Sequence, residues 1–117
     1  DGGGTFHLAQ ALPRALALQM LWLPEPMSAQ QWQALGLVNA VAADGQAFNE
    51  ALAWVDRLSR MASNALTSAK ALVNDARSRT LPEQLAAERE QFVPNLQHDN
   101  AAEGLRAFFE KSAPRFS

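Results

Sequence analysis

Met27–Asn39, MSAQQWQALGLVN, carries a helix start, a helix stop and the beginning of an extended segment in one short run. Ser28 followed three residues later by Gln31 has the spacing of a capping box, in which each residue satisfies an amide the other leaves open. Gly36 supplies the left-handed residue that ends the helix. On the upstream side PEP (24–26) breaks whatever helix precedes it. Downstream, LVNAVA (37–42) is apolar with a single polar break and reads as one short strand, placed at an edge or added to a sheet built elsewhere. ADG (43–45) ends it, and Asp44 is positioned to cap the next helix.

Outward from this stretch the punctuation stays helical. Gly2, Gly3 and Gly4 lead to Thr5, an expected N-cap for a helix through Phe6, Leu8 and Leu12. Pro13 suits the first turn of a second helix, along which Leu16, Met20 and Leu23 recur. Phe48, Ala51, Leu52, Val55, Leu58 and Ala62 form one stripe that should be buried. Ser63 restarts the pattern, with Leu66, Ala69, Val73 and Ala76 on one side. TLPE (80–83) is a second capping box, for a helix expected to run to Pro94. Asn100 and Glu103 have the spacing of a third, opening a last helix that Pro114 closes. Residues 1–62 thus hold the glycine loop, the first helices and the one short strand, and residues 63–117 read as helices throughout. The fold class is mainly α with at most one short strand. Several stripes are wide enough to face more than one neighbour.

The composition narrows the function. With 117 residues, 48% hydrophobic and 19% charged, the chain should fold as one domain with a core of ordinary size. A net charge of -2 argues against a nucleic-acid partner. No window approaches the roughly 20 apolar residues of a membrane span. The chain has no cysteine, so no thiol nucleophile or thiolate metal site is available, and His7 and His98 are too far apart for a ligand pair. No metal site is expected. The chain lacks an initiator Met and a secretory signal, which together read as part of a longer, cytoplasmic protein.

Two places have chemistry within reach. In DGGG (1–4) the glycines let backbone approach a ligand, and the amides that follow point outward at the positive end of a helix dipole. A carboxylate at Asp1 is placed to move a proton at such a ligand. On composition alone a flexible connector with a solvated Asp1 is the plainer reading, since three glycines match no specific phosphate motif. At the other end, Lys111 follows Phe108 and Phe109, an aromatic surface beside a cation that suits a nucleotide. A core helix ending in a charge has the same pattern. Glu103 reads most simply as a helix-start residue.

Taken together, DGGGT, EPMSAQQWQALGLVNAV, NALTSAKALV and HDNAAEGLRAFFEKSAPRF resemble the C-terminal half of the enoyl-CoA hydratase/isomerase (crotonase) family. MSAQQWQALGLVN and EGLRAFFEKSAPRF carry most of the specificity. The resemblance implies a crotonase-type fold whose ββα spiral lies upstream, with two backbone amides there forming an oxyanion hole for an acyl-CoA thioester; residues 1–62 would be the end of that core, with the active-site loop, helices and short strand, and residues 63–117 the C-terminal helical oligomerisation region. It implies a substrate that brings its own coenzyme A and no separate cofactor.

In the family, the position of Asp1 looks like that of the acid/base carboxylate of enoyl-CoA isomerases, where simple hydratases tend to have glycine. Isomerisation is thereby favoured over hydration, while an Asp1 retained without that role has similar weight. Gly3 and Gly4 correspond to the glycine pair that shapes the acyl pocket, with Phe6 placed to line it. Phe108 and Lys111 match positions near the CoA adenine and phosphate, which often reach across from a neighbouring subunit of a trimer or hexamer. EKS (110–112) replaces the usual EKR and loses one cation there, Pro13 stands where glycine is common, and AQA (9–11) replaces a PRL-like stretch. The competing reading, from another class, is a non-catalytic helical module whose only task is oligomerisation.

Overall fold

The computed structural model describes residues 2–117, and every described element is helical. The helices are α1 (Gly4–Ala11), α2 (Arg14–Trp22), α3 (Ala29–Ala34), α4 (Ala47–Leu58), α5 (Ser63–Asp75), α6 (Leu81–Gln97) and α7 (Asp99–Glu110), with a short 3₁₀ turn at Ala76–Ser78. The chain divides into two compact units, residues 1–50 and 51–117. In the first, α1 packs on α2. In the second, α6 packs on both α5 and α7.

The ends of α3 follow from its sequence. Ser28 N–H donates to Gln31 Oε1 at 2.7 Å, and Gln31 N–H returns a bond to Ser28 Oγ at 3.2 Å. At its other end Gly36 turns left-handed with φ 75°, so that Leu37 N–H reaches Trp32 O and Gly36 N–H reaches Gln33 O. That 6→1 and 5→2 pair closes the last turn. At α6 the Glu83 carboxylate accepts from both the Thr80 N–H and its hydroxyl, each at 2.7 Å. These two bonds, first the backbone and then the side chain, hold the Glu83 pKa below its ordinary value.

Several boundaries differ from expectation. Residues 37–42 form no strand: they run as bend and irregular backbone between α3 and α4. A strand exists only as half of a hydrogen-bonded pair, and no paired strand is present among the described residues. The α1 helix starts at Gly4, not after a Thr5 cap, because the Gly3 carbonyl already accepts His7 N–H at 3.0 Å. Asp44 sits in the turn before α4, and the Gln46 carbonyl opens that helix by accepting Glu50 N–H. By contrast α5 begins at Ser63, where the pattern was expected to restart, with Ala62 as its N-cap.

Two further corrections concern the last helices. Pro94 does not end α6, which continues to Gln97. Residues flanking the proline are tied to α5: Ser68 Oγ donates to Gln91 Oε1, and Asn95 bonds both Asn64 and Ser68. The cap of α7 is His98, whose Nδ1 accepts Asn100 N–H at 3.1 Å, so the Asn100–Glu103 box is not formed. That helix stops at Glu110, well before Pro114.

The largest departure is the core. Leu12, Ala17 and Ala107 are the only buried apolar side chains among the described residues. The α4 stripe lies on one face as expected but is not buried, with Phe48 at 72% exposure and Leu52, Val55 and Leu58 also open. Trp22, Val73 and Leu81 are likewise exposed. A globular chain of this size ordinarily covers such residues. The apolar stripes of these helices are therefore left uncovered among the described residues.

Candidate functional site

The first candidate site lies in residues 1–50, at the entrance to α1. Gly2 and Gly3 both have left-handed backbone, φ 69° and 76°, a conformation that costs glycine little. The turn delivers the chain into α1 with the unpaired amides of its first turn facing out. A Cβ at Gly2 or Gly4 would meet nothing within 4 Å, so the backbone there is open to approach. At Gly3 a Cβ would lie 3.3 Å from the His7 ring, which folds back over the turn. Phe6 stands edge-to-face on His7 with ring centroids 5.5 Å apart. Asp1 falls outside the described residues.

The structure thus brings Gly3, Gly4 and Phe6 together at one helix end. It also shows lining residues that sequence reading missed. An apolar groove of about 450 Å³ between α1 and α2 is lined by Thr5, Ala9, Arg14, Ala17, Leu18 and Leu21. Phe6 is not among them and is 63% exposed. The signal was present in the spacing: Thr5 and Ala9 are one turn apart, as are Ala17 and Leu21.

The second candidate site lies in residues 51–117, at the end of α7. Phe108 and Phe109 are both largely exposed and stand edge-to-face, 5.7 Å between centroids. Lys111 is the only non-glycine residue with positive φ among the described residues, at φ 52° and ψ 36°. Its N–H reaches Phe108 O, and Ser112 N–H reaches Ala107 O. This is the turn that Gly36 makes after α3, built with a lysine at the position glycine usually takes. A left-handed residue with a Cβ costs about 1–2 kcal/mol. The strained residue is thus a surface cation that follows two exposed rings in the chain.

Glu103 does not cap its helix. Its Oε1 accepts the Arg115 N–H at 2.6 Å, and both of its oxygens take donors from Arg106 at 2.8 Å. Arg106 also pairs with Glu110. The Arg106 bonds and then the Arg115 amide hold the Glu103 carboxyl down to about 2, and the two carboxylates push the Arg106 pKa up. Asn100, expected as a cap, is instead the one buried polar residue among those described.

With this geometry established, a sequence profile of the enoyl-CoA hydratase/isomerase family matches residues 1–117. The chain belongs to the enoyl-CoA hydratase/isomerase family. Its fold is the C-terminal helical portion of the crotonase fold. The crystal structure of an enoyl-CoA hydratase from Polaromonas sp. JS666 is 50% identical and superposes with a TM-score of 0.91, covering 100% of this chain and 46% of that one. A protein named probable enoyl-CoA hydratase from Mycobacterium bovis is 33% identical over 98% of this chain and 45% of its own length. The 2,3-dehydroadipyl-CoA hydratase of Escherichia coli is 32% identical, over 97% of this chain and 45% of its own length. The chain therefore spans about half the length of the curated relatives it matches. This family member carries no helix, among its described residues, long and apolar enough to cross a membrane.

Proposed function

We propose that this chain is the C-terminal half of an enzyme that moves a double bond in an enoyl-CoA thioester, with Asp1 as the proton carrier. The upstream half would supply the oxyanion hole, which stabilises the enolate oxygen as charge develops on it. Asp1 would take a proton from C2 of a 3-enoyl-CoA. The electron pair of that C–H bond would form the C2–C3 double bond, the C3–C4 π electrons would shift to C4, and the same carboxyl would return the proton there. The substrate carries its own coenzyme A, and the reaction calls for no separate cofactor.

The observation that supports this reading most is the Gly2–Gly3 turn. It combines two left-handed residues, an open backbone and a helix N-terminus, which suits close passage of an acyl chain. The exposed stripes of α4, α5 and α6 favour burial against the upstream half and against further copies in a trimer or hexamer. Phe108 and Lys111 would then meet the nucleotide of CoA, ring against base and ammonium against phosphate.

Hydration is the second reading, favoured by the names of the relatives, which are hydratases. The two separate by experiment. The full-length protein should convert a 3-enoyl-CoA to its 2-enoyl isomer, and Asp1→Asn should abolish this while leaving CoA affinity nearly unchanged. Full isomerisation by Asp1→Asn would remove Asp1 from the mechanism, and addition of water to a 2-enoyl-CoA without isomerisation would replace the isomerase reading with the hydratase one.

A further inference from the structure

The six residues after Lys111 do not trail into solvent. They run back along α7 and are fastened to it at three points. Arg115 N–H donates to Glu103 Oε1 at 2.6 Å. The Phe116 ring covers Gly104, where a Cβ would meet its Cε1 at 3.6 Å. Asn100 then grips Ser117 with both ends of its side-chain amide: Oδ1 accepts from the Ser117 N–H at 2.9 Å and from its hydroxyl at 3.2 Å, while Nδ2 donates to the Ser117 carbonyl at 3.0 Å. The same Nδ2 reaches Asn64 Oδ1 of α5 at 2.8 Å, and Ser63 Oγ joins at the Ser117 carbonyl.

We propose that residues 112–117 form a strap, with Asn100 and Glu103 as positioning residues, that holds Lys111 in its left-handed conformation and so aims its ammonium at the phosphate of CoA. This rests on the assignment of Lys111 to the nucleotide end of the substrate. The helix and the strap make a closed loop with Lys111 at its apex, fixed by the turn bonds on one side and by the Glu103 and Asn100 contacts on the other. A glycine at this position would hold the turn unaided. A lysine there needs the strap, because without it the backbone is free to relax to negative φ and swing the side chain away. Gly36 makes the same turn with φ 75° in a residue that has no Cβ to strain it.

The test compares two ligands of the full-length enzyme, a short-chain enoyl-CoA and the matching pantetheine thioester, which lacks the nucleotide. Glu103→Gln weakens the fastening nearest Lys111, since its amide oxygen accepts without the carboxylate's charge, and Arg115→Pro removes the donor of that bond outright without altering any residue of α7. Each should raise the KM for the CoA ester roughly 3- to 10-fold with kcat little changed, and leave both constants for the pantetheine ester as in wild type. Lys111→Ala should raise the same KM, and adding Glu103→Gln or Arg115→Pro to it should have no further effect, because the strap acts through the lysine. If Lys111→Ala leaves the KM unchanged, the nucleotide assignment fails and the strap proposal with it. If Lys111→Ala raises the KM but the strap variants do not, or if their effects add in full, the strap proposal fails while the assignment of Lys111 stands. Should Glu103→Gln lose its fold by thermal melting, Arg115→Pro decides the question alone.

Discussion

Lys111 pays a conformational cost for a side chain that makes no bond within the described residues sufficient to explain its placement, and that imbalance can be measured. Lys111→Gly removes the left-handed strain without disturbing the turn, and should stabilise the protein by about 1 kcal/mol. The same change should weaken CoA binding, so stability and affinity move in opposite directions. A variant that binds CoA as wild type, or melts at a lower temperature, contradicts this account of the residue. Glu103 offers a second test. Its folded pKa of about 2 lies below the ordinary 4.5, so its hold on the strap is fully present above pH 4.5 and is lost as pH falls through 2. The Arg115 amide resonance should follow that loss, with a midpoint near 2 and not near 4.5.

At the scale of elements, what could be read in advance was whatever depends on residues three or four apart. Ser28 with Gln31, Thr80 with Glu83, and Gly36 at the end of α3 are satisfied by neighbours in the chain, so their pattern is sufficient. Ser28→Ala should cost about 1 kcal/mol of α3 stability, read as faster amide exchange in its first turn and unchanged exchange in α5. The errors fall where the deciding partner is distant. LVNAVA has the composition of a strand, but a strand needs a paired backbone and none pairs with it among the described residues. Pro94 is a helix breaker by local rules and is overruled by bonds to α5 through Gln91 and Asn95. Asn100 and Glu103 have the spacing of a box, yet they are engaged by Ser117 and Arg115, 17 and 12 residues away. The glycine turn at the first site was legible because left-handed backbone is written in the residue type. The strap at the second was not, because nothing local in APRFS says where it docks. His98 was missed as a cap because its ring accepts there through Nδ1, a role more often given to Ser, Thr, Asp or Asn.

Across the whole molecule, hydrophobic periodicity identified which face of each helix is apolar and could not say whether anything covers it. The expected core of ordinary size is reduced to Leu12, Ala17 and Ala107, while Phe48, Trp22, Val73, Phe108 and Phe109 remain largely open. Uncovered apolar faces on this scale are docking surfaces or aggregation sites. In the proposed enzyme they are the former, filled by the spiral of the upstream half and by neighbouring subunits. The purified 117-residue chain should accordingly bind a hydrophobic dye strongly, and the full-length protein should not. Equal dye binding by the two would remove the idea that the upstream half covers these stripes.

The claim on which all of this depends is that the chain supplies one side of an acyl-CoA site whose oxyanion hole is built by the half preceding Asp1. The most direct measurement is enoyl-CoA turnover by the 117-residue chain alone and after reconstitution with that upstream half. The chain alone should show no turnover and reconstitution should restore it; turnover by the isolated chain would contradict a site shared between the two halves.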